Sequence, residues 1–227
     1  MLETFNRVFI SNDMYKVYLI GLRNTLYIAI GACILGFIIG AVVAFIRIAP
    51  KNNLLIKILE PVARFYVTVV RGTPVVLQLL IMYFVILAFM SRIWGGVLVG
   101  ILTFGINSGA YMSEILRAGI NAVDKGQLEA GRSLGFTWGQ TMRIIILPQG
   151  IKNALPTMFN EFIMLLKETA VVGYIGIADL VKSARMVTSQ TFEVFGPLFI
   201  VTIIYLAMVL GLQKIHKIME RRMGKGD

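Results

Sequence analysis

The stretch QLEAGRSLGFTWGQTMRIIILPQG, residues 127–150, lies between two strongly apolar runs, yet it carries a glutamate, two arginines, four glycines and a proline. Its meaning depends on the chain around it. Of the 227 residues, 57% are hydrophobic and 15% are charged. That is well below the roughly 25% charge of a soluble domain. The mean hydropathy is +0.79. A soluble fold of this length needs more polar surface, so the composition implies an all-α integral membrane protein with one domain spanning residues 1–227.

A helix needs about 20 apolar residues to cross the hydrocarbon core. Five runs qualify: residues 19–46, 54–90, 93–116, 144–166 and 195–215. The second is long enough to be tilted or broken. The first begins too late and continues too far for a cleaved signal peptide, so it reads as a retained helix. Residues 1–20 mix aromatic, apolar and charged side chains. They are expected to form a helix lying in the outer interface, with a disordered tail as the alternative.

The basic residues set the orientation. With the N-terminus outside, the inner segments hold Arg47, Lys51, Lys57, Arg64, Arg117, Lys125, Arg132, Arg143, Lys152, Lys214, Lys217, Arg221, Arg222 and Lys225. The outer segments hold only Arg7, Lys16, Arg23, Arg92, Lys182 and Arg185. This asymmetry predicts N-out and C-in, and it assigns the net charge of +10 to inner loops rather than to nucleic-acid binding. The tail KIHKIMERRMGKGD, 214–227, reads as a basic anchor on the inner leaflet. The opening stretch then falls in the longest cytoplasmic connection, about 117–143. Five spans cannot form two equal inverted halves, so a pathway is expected between two copies or two paralogues.

Chemistry narrows the function further. One cysteine, Cys33, and one histidine, His216, leave no internal disulfide, zinc cluster or Ser–His–Asp triad to build. His216 reads as a solvated or headgroup-level side chain. No G-x-x-x-x-G-K-[ST] segment is present, so no phosphate cradle of that type is expected. The pairs Gly36/Gly40 and Gly105/Gly109 form small-x-x-x-small faces for close helix packing.

Within the central segment, residues 127–134 are expected to form a short helix. Gly135 would end it in a left-handed cap. TWGQTMRIIILP, 137–148, reads as a second short helix leading into the next span. Ala130 and Gly131 would let another surface come close, and Glu129 and Arg132 would set its register by charge. The segment is thus a candidate docking knob for a soluble partner, against the plainer reading of an amphipathic loop. Two further stretches carry polar groups into apolar surroundings. In RGTPVVLQ, 71–78, Gly72 and Pro74 are expected to break the helix. Arg71 there needs a partner, either an acid (Glu114, Glu161 or Glu168) or a substrate carboxylate. In MFNEFIMLLKET, 158–169, Glu161 and Glu168 are seven apart and share a helix face, whereas Lys167 does not share it with Glu161. Glu114 is expected to pair with Arg117, three positions on. Arg71, Asn160, Glu161 and Glu168 are the candidate pathway residues.

EAGRSLGFTWGQTMRIIILP resembles the signature of ABC importer permeases. That signature is Glu-Ala-Ala, three residues, Gly, nine residues, Ile, one residue, Leu-Pro. Glu129, Ala130, Gly131, Gly135, Ile145, Leu147 and Pro148 fit its spacing, with Gly131 in place of Ala. RGTPVVLQ, GAYMSEILRAGINAVDKGQLEAGRSLG (109–135), NEFIMLLKETAVVGYIG (160–176) and FGPLFIVTIIYLAMVLGLQKIHKIMERR (195–222) resemble the members of that family that import polar amino acids. The likeness covers about residues 22–222. It implies a type I importer permease fold in a prokaryotic inner membrane. It also implies a second permease, two ATPase subunits that hold ATP and Mg, and an extracytoplasmic binding protein. The residues Glu129, Ala130, Gly131, Arg132, Gly135, Leu147 and Pro148 would form the coupling element that docks on the ATPase. No cofactor is expected on this chain. The two acids, Glu161 and Glu168, favour a basic amino acid over glutamine, glutamate or cystine. A pore opened by a cytoplasmic partner would use the same parts without ATP. A membrane enzyme is disfavoured by the lack of catalytic clusters.

Overall fold

The computed structural model describes residues 6–223, and the side chains of all of these except residues 12, 90–92, 94, 222 and 223. The first five residues of the expected interfacial helix and the last four of the basic tail lie outside the described residues. So do the side chains of Arg92 and Arg222 from the charge tally.

The described chain is built from helices and turns. Residues Asn6–Ile10 make a π-turn and Ser11–Asp13 a 3-10 turn, ahead of α1, Met14–Ile48. Over residues 6–13 the expected interfacial helix is therefore two short turns, and from residue 14 onward it belongs to α1. Asp13, at φ 58°, sets the break. α1 stops at Ala49, extended at φ −59° and ψ 144°, because Pro50 disfavours a helical residue before it. α2, Leu54–Arg71, starts on Asn53, whose Oδ1 accepts from the Leu55 amide at 2.9 Å. α3, Val75–Ile81, runs into a π-turn at Met82–Ile86. α4, Ala88–Asn121, is interrupted at Gly95, φ 77°. α5 is Lys125–Ser133, and α6 is Trp138–Thr141 with a π-turn at Met142–Ile146. α7 is Leu147–Glu168, followed by a 3-10 turn at Thr169–Ile175. α8 is Leu180–Thr191 and α9 is Phe195–Met223.

Among the described residues, three helices are long and apolar enough to cross a membrane: Met14–Ile48, Gly95–Asn121 and Phe195–Arg221. A fourth span arises if Leu54–Arg71 and Val75–Ile86 count together, with a bend of 107° between them. The expected second run is thus broken at Gly72–Pro74, and its last residues belong to α4. The third run reaches Asn121, five residues past the expected end. α7 has the length of a span but not the apolarity, with Gln149, Lys152, Asn153, Asn160 and Glu161 along it.

Small residues bring α1 and α4 together. A Cβ on Gly40 would fall 2.6 Å from Met112 Cβ, and one on Gly105 would fall 2.6 Å from Leu35 Cδ2. Both small-x-x-x-small faces lie in this one seam, with Gly36 against Ser108 and Gly109 against Ile39. α8 was not foreseen, because it is short and not strongly apolar. Asp179 caps it, accepting from the Val181 and Lys182 amides at 3.0 and 3.1 Å. Leu180, Ala184 and Val187 then bury its inner face against Met14, Tyr18 and Val201. Burial pushes the Asp179 carboxyl up against the pull of those amides. α9 stands apart: only 11% of its most apolar window is buried within this chain.

Candidate functional site

Two regions carry the polar chemistry. The first is the turn that follows α4. Asp124 Oδ1 accepts from the Gly126 amide at 2.7 Å, so the helix starts at Lys125, two residues before the expected start. The helix ends in a Schellman motif. The Phe136 amide donates to the Gly131 carbonyl and the Gly135 amide to the Arg132 carbonyl, both at 3.1 Å. Gly135 sits at φ 87°, where a side chain would be strained. Thr137 and Gln140 then form a reciprocal capping box, with the Thr137 amide donating to Gln140 Oε1 at 2.8 Å. Pro148 lacks the N–H that would serve the Ile144 carbonyl. The backbone leading to it opens into the π-turn at Met142–Ile146.

The turn presents Glu129, Ala130, Ser133 and Leu134 to solvent. Leu134 is 76% exposed, an apolar tip that the sequence reading missed. Its position directly before the capping glycine was the available signal. Arg132 is also exposed, but its guanidinium donates to the Phe136 carbonyl at 2.9 Å, so it braces the turn from within. Leu128 and Leu147 pack with Trp138 against Ile120, Val123, Met142 and Ile146. The turn is therefore fastened to the ends of α4 and α7.

The second region is the break between α2 and α3. Pro74 offers no N–H to the Val70 carbonyl, and Gln78 Nε2 supplies a donor there at 2.8 Å. The same nitrogen donates to the Thr73 carbonyl at 3.1 Å and to its hydroxyl at 2.9 Å. Gln78 Oε1 accepts from Asn107 Nδ2 of α4 at 3.0 Å. The Thr73 hydroxyl donates to the Val69 carbonyl at 2.9 Å. A broken backbone is tolerated at membrane depth only where such partners or a cavity receive it. A cavity of about 270 Å³ opens beside this latch, lined by Val70, Thr73, Gln78, Thr103 and Ile106 among others.

Arg71 is exposed at the bend, and its guanidinium lies over the Tyr111 ring, 5.1 Å from the centroid. No ion pair joins it to Glu114, which is held instead by Arg47 and, at 2.7 Å, by Arg117. The expected Glu114–Arg117 pair is present, with Arg47 as a second partner. On α7, Glu161 accepts from Ser108 Oγ at 3.0 Å. Glu168, seven positions on, is half-buried at the end of the same helix. Asn160 is exposed. His216, expected at headgroup level or in solvent, is largely shielded from solvent and stacks on Phe159 of α7 at 5.2 Å. Among the described residues no group of three or more His, Cys, Asp or Glu is arranged to hold a metal.

Known proteins resemble this chain along most of its length. A family model described as the binding-protein-dependent transport system inner membrane component matches residues 32–225. The arginine transport system permease protein ArtQ of Bacillus subtilis is 40% identical over 211 residues, covering 91% of this chain and 92% of that protein. The putative glutamine transport system permease protein GlnP of Rickettsia typhi is 39% identical over 203 residues, covering 89% and 91%. A solved structure described as an amino acid ABC transporter with histidines superposes with a TM-score of 0.81 at 40% identity, covering 92% of this chain and 94% of that one. The MetNI methionine ABC transporter, inward facing, is similar in fold at 18% identity, with a TM-score of 0.79. The overall fold is therefore that of a known architecture, and the chain belongs to the binding-protein-dependent transport system inner membrane component family.

Proposed function

We propose that this chain is the permease subunit of an ATP-driven importer for a polar amino acid, with a basic amino acid favoured. It crosses the inner membrane of a prokaryote five times, N-out and C-in, with α7 as the least apolar span. The relatives are named for glutamine and arginine transport, which supports the substrate class. A second permease, a copy or a paralogue, completes the pathway. An extracytoplasmic binding protein delivers the substrate, and two ATPase subunits hold ATP and Mg. This chain binds no cofactor of its own in the scheme.

The observation that carries the reading is the braced, solvent-facing turn of α5 to α6, which presents Glu129, Ala130 and Leu134 while its backbone groups are satisfied internally. A preformed knob of this kind loses little entropy on docking. In the scheme it seats on the ATPase through Glu129 and Ala130, while Gly131, expected to face the partner, is buried against Thr141 and with Arg132 and Gly135 holds the turn in shape, and Leu147 and Pro148 join it to α7. ATP-driven closure of the two ATPases then moves the knobs together and reorients the helices around the pathway. Arg71, Asn160, Glu161 and Glu168 form the polar part of that pathway. An arginine or lysine side chain would meet the Glu161 carboxylate beside Ser108. Its carboxylate would meet Arg71.

The test is uptake of radiolabelled arginine and glutamine into proteoliposomes holding this chain with its ATPase and binding protein. Uptake that requires internal ATP is the expected result. Flux that runs down the gradient without ATP overturns the importer and leaves a gated pore.

A further inference from the structure

Gly131 is the one residue of α5 that is buried. A Cβ placed on it would lie 2.5 Å from Thr141 Cγ2 and 2.9 Å from Thr141 Oγ1. Thr141 is fully buried, and its hydroxyl donates to the Thr137 carbonyl one turn back at 3.1 Å. That bond fixes the stiff, branched side chain and points its methyl at Gly131. Thr141 is the last residue of α6 and immediately precedes the π-turn at Met142–Ile146, which runs directly into α7. α7 in turn carries Glu161, bonded to Ser108 of α4.

We propose that the contact between Gly131 and Thr141 is the point through which movement of the docking helix α5 reaches α7 and the pathway. A close-packed contact with no gap transmits displacement directly, whereas a flexible connection absorbs it. The turn that links α5 and α6 is exposed at Leu134, Gly135 and Thr137 and held by hydrogen bonds alone, so the buried contact is the stiffer route. The π-turn beyond Thr141 is the compliant element on which the push acts. The glycine at the third motif position, where the wider pattern has alanine, is then explained by its neighbour: the Thr141 methyl occupies the space an alanine methyl would take. Gly131 and Thr141 are positioning residues and touch no substrate.

This inference rests on the importer reading, and its test separates the two. The complex of this chain with its ATPase and binding protein is assembled in nanodiscs as wild type, Gly131→Ala, Gly131→Ala/Thr141→Ser and Glu129→Arg. Co-purification of the ATPase and ATP hydrolysis stimulated by substrate-loaded binding protein are both measured. Gly131→Ala is expected to keep the ATPase bound and to lower stimulated hydrolysis about fivefold. The double variant removes the closer clash, the methyl, keeps the hydroxyl at 2.9 Å, and is expected to recover part of the loss, to within about threefold of wild type. Stimulated hydrolysis by Gly131→Ala equal to wild type overturns the proposal, and so does a double variant as impaired as the single one. Should Gly131→Ala fail to assemble, an assembled and active double variant supports the proposal and an unassembled one overturns it. Failure of the importer reading looks different: Glu129→Arg would then keep its ATPase. Failure of the transmission contact alone leaves Glu129→Arg stripped of ATPase while Gly131→Ala is silent.

Discussion

The solvent-facing turn of α5 and α6 and the broken helix of α2 and α3 solve the same problem in opposite ways. Each contains a glycine, a proline and a glutamine, and each leaves backbone groups without helical partners. In the turn, at residues 124–148, the partners are close in sequence: Asp124 with Gly126, Gly131 with Phe136, and Thr137 with Gln140. At the break, Gln78 reaches back to Val70 and across to Asn107 of α4, and the nearby acid Glu161 is met by Ser108, 53 positions away. A turn in water can be specified locally, because solvent takes whatever the chain leaves unpaired. At membrane depth no solvent is available, so the surrounding helices must supply every partner. Damage to the turn should therefore stay local, and damage at the break should spread.

The largest effect is expected at Glu114. Glu114→Ala leaves Arg47 and Arg117 facing each other without their acid, and should cost roughly 3 kcal/mol, since removing one member of a largely buried pair strands the other. Thermal unfolding of the purified chain in detergent measures this. A loss below about 1 kcal/mol would mean the pair behaves as a surface bridge.

Next comes Gln78. Gln78→Leu removes the donor to Val70 and Thr73 and the acceptor from Asn107 at one stroke. About 2 kcal/mol is expected for the stranded groups. Adding Asn107→Leu should return part of it, because an apolar pair leaves fewer orphans. If the double variant is no better than the single one, Asn107 is not part of the latch.

A smaller cost belongs to the turn. Gly135→Ala forces a side chain onto a backbone at φ 87° and should cost about 1 kcal/mol. The loss should appear as faster hydrogen exchange in residues 131–137 with α7 unchanged. Exchange that accelerates along α7 as well would show that the two regions are not independent.

The smallest expected effect is at Asp179. Its carboxyl is raised above the ordinary 3.8 by burial, so its charged form is disfavoured in the fold. Folding should therefore gain a little stability as pH falls from neutrality toward and through that raised value, and lose it again on return. Asp179→Asn keeps an oxygen for the α8 cap and removes the charge, so this part of the pH slope should vanish from melting curves taken between about pH 7 and pH 4. An unchanged slope would assign it to another acid.

The same contrast explains what could be read in the sequence. The left-handed cap at Gly135, the short helix after it and the break at Gly72–Pro74 were legible, because each is written in residues a few positions apart. Even there the start of α5 was placed at Gln127, although Asp124 offered a cap. Contacts across the fold were not legible. Arg71 was expected to meet an acid of the chain or a substrate carboxylate, and the neighbour the fold gives it is the Tyr111 ring; Arg47 joined Glu114 from another helix; His216 stacks on Phe159. α8 escaped notice because it is short and stabilised by Asp179 and a one-sided apolar face rather than by a membrane-length run. The apolar length rule found α1 and α9 readily. It also counted residues 144–166 as a span, where α7 has the length but not the apolarity, because polar residues dilute it.

The central claim is a division of labour, with the turn holding the ATPase and the Glu161 region handling the substrate. The most direct measurement compares Glu129→Arg with Glu161→Gln in the assembled nanodisc complex, scoring ATPase co-purification and arginine uptake side by side. The account predicts that Glu129→Arg loses the ATPase and with it uptake, and that Glu161→Gln retains the ATPase while uptake falls about tenfold or more, as expected for a lost charge-assisted contact. An ATPase that stays bound to Glu129→Arg, or uptake that survives Glu161→Gln unchanged, would contradict it.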